Sequence, residues 1–335
     1  MPVPNGEMRM TVVKSITGSP RFRSAAAHSY NFPARDNIIG QLLNGETGAT
    51  GFRELEFELD QFDKILWCYM RPSGRPSYTL ELMDEIGRLQ ADVRQFFSER
   101  GETDPTSAPV HYCVMGSRTP GIYNLGGDLG HFVERIRARD LDAMRNYAHV
   151  AIERQYDNSN AFGAPIITIA LIQGDALGGG FEHALSLDVI VAERSAKMGL
   201  PEVLFNLFPG MGAYSFLCRR LNRRQTEDFI MSGRIYSGEE LYELGVVDVL
   251  AEDGKGEQAV REYVAQHQRK FNMHRAVYEA RRRANPLTLE ELLSIVDLWA
   301  ETAMTVNERD LRMMMRLCAA QDRRLAGHPV PMTLV

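Results

Sequence analysis

Cysteine is scarce. The 335 residues hold four, Cys68, Cys113, Cys218 and Cys318, far apart and without a C-x-x-C pair, which argues for reduced thiols in a reducing compartment. No apolar run approaches the roughly 20 residues that span a bilayer, and the opening MPVPNGEMRMTVV lacks the hydrophobic stretch of a signal peptide. The expectation is a cytoplasmic protein without a membrane segment. Positive charge is not in excess: 38 basic against 44 acidic side chains leave a formal charge of -6, so no global field would hold a nucleic-acid backbone or anionic lipid. There is no internal repeat and no low-complexity tract.

Nucleotide and hydrolase signatures are missing too. No G-x-x-x-x-G-K-S/T phosphate loop occurs, and neither Gly174 to Gly180 nor Gly210 to Gly212 has the G-x-G-x-x-G order. A G-x-S-x-G elbow is absent, which disfavours a serine esterase of the usual type. The eight histidines form no H-E-x-x-H and no Cys/His ligand set, so neither metal nor cofactor is indicated. His267 and His274, seven apart, read as a solvated helix face.

What is present is an ordinary globular balance, 44% hydrophobic and 24% charged, enough to bury a core. Residues 1–50 mix Pro, Gly, Ser and Asn without a period and read as a partly disordered extension. From Leu55 to Leu59 apolar residues alternate with glutamates, the period of a half-buried strand, and Ile65 to Met70 reads as a strand buried on both faces. Leu82, Ile86, Leu89, Val93 and Phe96 mark an amphipathic helix. Val110 to Met115, residues 165–172, Val189 to Ala192, Ala196 to Leu200 and Val246 to Leu250 read as further strands. A long helical stretch is expected from Asp128 to about Gln155, and Ser237 with Glu240 has capping-box spacing ahead of Gly245. Beyond residue 255 the pattern is helical. The order predicts an α/β core over 51–255, with parallel strands linked by helices, and a helical region over 256–335.

Two glycine-bearing loops follow buried strands, Asn124 to Asp128 and Ala176 to Gly180. Such backbone can approach a ligand closely, and two converging N–H donors would stabilise charge on a carbonyl oxygen. Two carboxylates stand near them, Glu182 at an expected helix start and Glu202 between Pro201 and Val203. Buried, they would suit proton transfer near neutral pH; alternatively Glu182 caps a helix and Glu202 sits in a solvated turn.

The segment from Ile166 to Leu250 resembles the core of the crotonase superfamily, the enoyl-CoA hydratases and isomerases. The carrying features are G-x-A-x-G-G-G-x-E ending at Glu182, Asp188, Pro201-Glu202, the P-G-x-G of Pro209 to Gly212, and Ser232 to Leu250, with Tyr123 to Leu129 (YNLGGDL) upstream. Within the superfamily, Tyr123 to Leu129, Gly178 to Glu182, Met198 to Phe216 and Leu298 to Met304 resemble the diffusible signal factor synthases, which make cis-2-unsaturated fatty acid signals. The resemblance implies a crotonase-like ββα spiral with a helical C-terminal region for self-association and active-site cover. It implies Glu182 and Glu202 as the catalytic pair and the N–H groups of Leu125 and Gly179 as the oxyanion hole. Gly126 and Gly127 are expected to bind substrate, and Phe205, Met211, Trp299 and Met304 either line an apolar tunnel for the acyl chain or are simple core.

The reaction implied is dehydration of a 3-hydroxyacyl thioester, carried on acyl carrier protein or CoA, to a cis-2-enoyl thioester, with hydrolysis to the free acid. Trimers or pairs of trimers and a signalling sensor protein are the implied partners. Arg219, Arg220 and Arg281 to Arg283 either meet an acidic carrier or a CoA phosphate, or form solvated helix faces. The rival reading is a catabolic enoyl-CoA hydratase that releases no free acid.

Overall fold

Alternation decides how the strands pack. In the computed structural model, which describes residues 37–45, 51–100 and 105–325, a six-stranded sheet runs in the order β1-β2-β3-β5-β7-β10. Its strands are β1 (Leu55–Asp60), β2 (Ile65–Met70), β3 (Tyr112–Ser117), β5 (Ile167–Ile172), β7 (Val189–Glu193) and β10 (Val249–Ala251). β1 and β2 form an antiparallel hairpin, and the other pairings are parallel. Leu66, Cys68 and Met70 face the main core, whereas Ile65, Trp67 and Tyr69 face a second apolar cluster closed by Val260, Val264 and Phe271. A sheet covered on both faces explains why these strands read as continuous apolar runs.

A second sheet of four short strands, β4 (Ile122–Asn124), β6 (Asp175–Leu177), β8 (Lys197–Gly199) and β9 (Ile235–Ser237), has the order β4-β6-β8-β9. The first three are parallel. The chain therefore passes from large sheet to small sheet three times, β3 to β4, β5 to β6 and β7 to β8, with helical segments after each pass. This is the α/β crotonase-like spiral the sequence led us to expect. The consequence is positional: the carboxyl ends of β4, β6 and β8 launch the loops at 125–128, 178–180 and 200–202 on one side, where open parallel sheets gather their ligands.

Several sequence expectations change. The stretch after Asp128 is two helices, Leu129–Arg137 and Leu141–Ser159, because Arg139 takes φ 56° and Asp140 caps the second by accepting the Ala143 N–H. Within the expected extension, Ile38–Leu43 is helical, capped by Asn37, and Ile38 and Ile39 are buried; residues 1–36 and 46–50 lie outside the described residues. His267 ends one helix, Gly256–His267, and His274 belongs to the next, Phe271–Ala284. Their rings stack at 4.3 Å, His274 bonds the Tyr263 hydroxyl at 3.0 Å, and burial pushes the His274 imidazole down to about 4. They are therefore packing residues and not a solvated face.

The capping box at Ser237 and Glu240 is present, and Gly245 follows that helix at φ 78°. Asp188, 3% exposed, accepts from the Thr168 N–H and hydroxyl and from Arg281 and Arg282, tying the C-terminal region to β5 and β7. All four cysteines are unpaired. No helix among the described residues is long and apolar enough to cross a membrane.

Candidate active site

Glu182 sits in the first turn of the helix Gly179–Ser186 and is 1% exposed. Its Oε1 accepts the N–H groups of Met211 (2.7 Å), in the Pro209–Gly212 turn, and of Ala213 (2.9 Å), which opens the helix after it. Two donors on one oxygen fix the side chain, so its other oxygen is aimed rather than free to wander. Glu202 stands on the short 3-10 turn Pro201–Phe205. The residue is partly exposed, yet its Oε2 is out of solvent and meets no hydrogen-bond partner among the described residues. A buried carboxyl oxygen so placed disfavours the charged form.

Gly178 lets Glu202 come close. It holds φ 51°, and a Cβ there would lie 2.5 Å from the Glu202 Oε1. Burial, reinforced by the neighbouring Glu202 carboxylate, holds the Glu182 carboxyl well above its ordinary range, against the two N–H bonds that favour its charged form. Burial likewise pushes Glu202 up to about 7. Two carboxyl groups placed so titrate as a pair, one protonated and one ionised near neutrality.

The sign of this linkage gives a prediction. Glu202, raised from 4.5 to about 7, keeps its proton in the folded chain where the unfolded chain has lost it. Stability is full below pH 4.5 and falls as pH rises through that window, by about 3 kcal/mol. Denaturant unfolding at pH 5 and pH 8 should show wild type losing about that much more than Glu202→Gln; parallel losses would mean the carboxyl titrates normally.

The loop after β4 does not match the expected donor assignment. The Leu125 N–H donates to the Pro76 carbonyl at 2.8 Å, so it faces the 76–78 segment and not the cavity. Gly126, at φ 93°, gives its carbonyl to the Tyr78 N–H at 2.7 Å. The 126–127 peptide is trans, as no cis bond occurs among the described residues, so the Gly127 N–H points away from Tyr78. Gly127 N lies 3.4 Å from where a Gly179 Cβ would stand. Neither N–H, of Gly127 or of Gly179 at its helix start, meets an acceptor among the described residues. The pair that converges is therefore Gly127 with Gly179.

These groups share one cavity of about 160 Å³. Leu125, Gly127, Gly179, Glu182, Glu202, Phe205, Met211 and Trp299 line it. Gly126 lies behind the wall, where a side chain would strike the Leu177 carbonyl, and Met304 packs against the core outside the cavity. Sequence reasoning missed Tyr147, a mid-helix aromatic that reads as core. Its hydroxyl donates to the Tyr78 carbonyl and accepts the Asp128 N–H at 3.1 Å, holding the backbone on both sides of Gly127.

The helix Glu308–Leu325, part of the C-terminal region expected to cover the site, supplies a wall. Leu317, Ala320 and Gln321 close the cavity, and Arg75 grips the next residue, Asp322, through two bonds of 2.9 Å. Arg219, Arg220 and Arg281 to Arg283 line a separate cleft around Asp188, where Arg219 pairs with Glu291 and Arg220 with Asp248. Among the described residues no group of three or more His, Cys, Asp or Glu is placed to hold a metal.

The sequence profile described as enoyl-CoA hydratase/isomerase matches residues 97–302. Mitochondrial methylglutaconyl-CoA hydratase of Rattus norvegicus is 31% identical over 228 residues, covering 64% of this chain and 67% of that protein. The human protein of the same name is 33% identical over 218 residues, covering 61% and 59%. The 2,3-dehydroadipyl-CoA hydratase of Escherichia coli is 27% identical over 227 residues, covering 68% and 79%. The match thus spans 59% to 67% of the length of the first two relatives.

Among solved structures, enoyl-CoA hydratase from Bacillus halodurans superposes with TM-score 0.63 at 20% identity, over 79% of this chain and all of that one. Human mitochondrial delta3-delta2-enoyl-CoA isomerase does so with TM-score 0.62 at 15% identity, over 81% and 99%. At such identities the structural matches speak for the fold.

Proposed function

Because the chain belongs to the enoyl-CoA hydratase/isomerase family, we propose that it adds or removes water across the C2–C3 bond of an acyl thioester. The observation that carries this is the carboxyl pair, buried Glu182 and half-buried Glu202, facing one cavity with the Gly127 and Gly179 N–H groups. The thioester carbonyl oxygen receives those two N–H donors, which stabilise the enolate-like charge formed at C2. In dehydration the ionised Glu202 takes the C2 proton and the protonated Glu182 gives its proton to the departing 3-hydroxyl; hydration is the reverse, and the microscopic roles can be exchanged. No cofactor is needed for this proton chemistry.

The finer reading is a signal synthase. The substrate is then a 3-hydroxyacyl group on acyl carrier protein, the product a cis-2-enoyl thioester, and the same carboxylates activate water to release the free fatty acid. Support comes from the motifs at Tyr123 to Leu129 and Met198 to Phe216 and from the apolar cavity they border. Trimeric assembly belongs to the same reading, supported by Met273 and Val277, one turn apart and each 54% exposed. The named relatives favour the alternative, a CoA-dependent hydratase without hydrolysis.

Mass spectrometry of the protein with 3-hydroxydodecanoyl carrier protein separates the two. Free cis-2-enoic acid from wild type, and none from a Glu182→Gln, Glu202→Gln double variant, is expected of the synthase. Reversible conversion to a trans-2-enoyl thioester with no free acid would contradict the synthase and leave the hydratase.

A further inference from the structure

The cavity wall carries charge of one sign. Its ionisable side chains are Asp175, Glu182 and Glu202, and no Lys, Arg or His is among the described residues that line it. Its other polar side chains are Tyr147, whose hydroxyl is engaged by Tyr78 and Asp128, and Gln321. Beyond the carboxylates the wall is apolar, with the Phe132 and Trp299 rings meeting edge to face at 5.2 Å. Arg75, beside this wall, is bound to Asp322.

We infer that the site takes thioesters of neutral acyl chains and rejects those that end in a second carboxylate. The inference deepens the acyl-thioester reading and rests on it. A carboxylate taken from water into this apolar cavity meets no cation among the described lining residues and faces the ionised Glu202, so it enters only as the neutral acid. With an ordinary carboxyl near 4.3, protonation at pH 7.5 limits binding by roughly 10³-fold at most, and the penalty shrinks about tenfold for each pH unit lowered. Size is not the cause: a methyl ester of the same chain is larger than the acid and carries no charge.

The test is calorimetric binding of three saturated thioesters to the wild-type protein: hexanoyl-CoA, adipoyl-CoA and the methyl ester of adipoyl-CoA. At pH 7.5 the first and third should bind alike and the diacid at least tenfold more weakly, with the gap narrowing at pH 6. A diacid that binds within threefold of its ester at pH 7.5, or a failure of all three to bind, overturns the inference. Turnover of 2-hexenoyl-CoA is followed in parallel. Binding in the expected order without turnover would sink the proposed reaction and leave the inference on the cavity's charge standing.

Discussion

Glu182→Gln and Glu202→Gln are each expected to lower turnover of a 2-enoyl or 3-hydroxyacyl thioester by roughly 10² or more, the usual scale for a lost general acid or base. The amide keeps the size of the carboxyl but can neither take a proton from C2 nor return one to oxygen. Folding should survive. In Glu202→Gln the buried, unpartnered oxygen is relieved of a charge it holds at a cost, so that variant should be no less stable than wild type at pH 8. In Glu182→Gln the amide oxygen still accepts from Met211 and Ala213. The double variant should fall little further than the worse single one, because residues acting on one proton path are not additive. Near-normal kcat in both single variants would remove the pair from the chemistry.

Gly179→Pro is the second large effect. The substitution deletes one N–H aimed at the proposed carbonyl position, and losing one such donor typically lowers kcat by about 10² to 10³. Proline is tolerated at the first position of a helix, which is where Gly179 stands. The control is Gly179→Ala. It keeps the N–H and brings a Cβ that crowds the Met211 sulfur, 2.4 Å away and at the end of a flexible side chain, and that lies at ordinary contact distance, 3.4 Å, from the Gly127 nitrogen. The account expects Ala to retain most activity and Pro to lose it, with both showing native circular dichroism. Equal losses would point to crowding and away from the donor.

The centre of the large sheet was legible because its inner strands are buried on both faces and long enough to show it: Ile65 to Met70 and residues 167–172 appear as uninterrupted apolar runs. Of the small sheet only β8 was, read as Ala196 to Leu200. β4, β6 and β9 have three residues each, too few for a period to register, and it is this sheet that aims the site loops. Both glutamates were legible through spacing and neighbours, whereas the donor beside Gly179 was not. Which N–H of Leu125, Gly126 and Gly127 faces the cavity depends on the positive φ of Gly126 and on pairing with residues 76–78, a contact across about 50 residues that no local pattern encodes.

The break at Arg139 had a signal, Asp140 two residues before Asp142 at the start of a new apolar period, which the continuous helical pattern outweighed. For the wall supplied by Leu317 and Ala320 the sequence offered only a helical C-terminal region expected to cover the site, without naming the residues. Those residues read as one face of an amphipathic helix, and only the packing of that helix against Leu129–Arg137 and Pro201–Phe205 turns the face into part of the site.

Exchange at C2 tests the central claim most directly. Wild-type protein incubated in deuterated water with a 2-enoyl-CoA and its 3-hydroxyacyl partner should place deuterium at C2 and interconvert the two, and Glu202→Gln should do so at least about 10²-fold more slowly. Binding of the thioester with no deuterium at C2 in wild type would contradict the account, because the buried carboxylates would then hold the acyl chain without moving its proton.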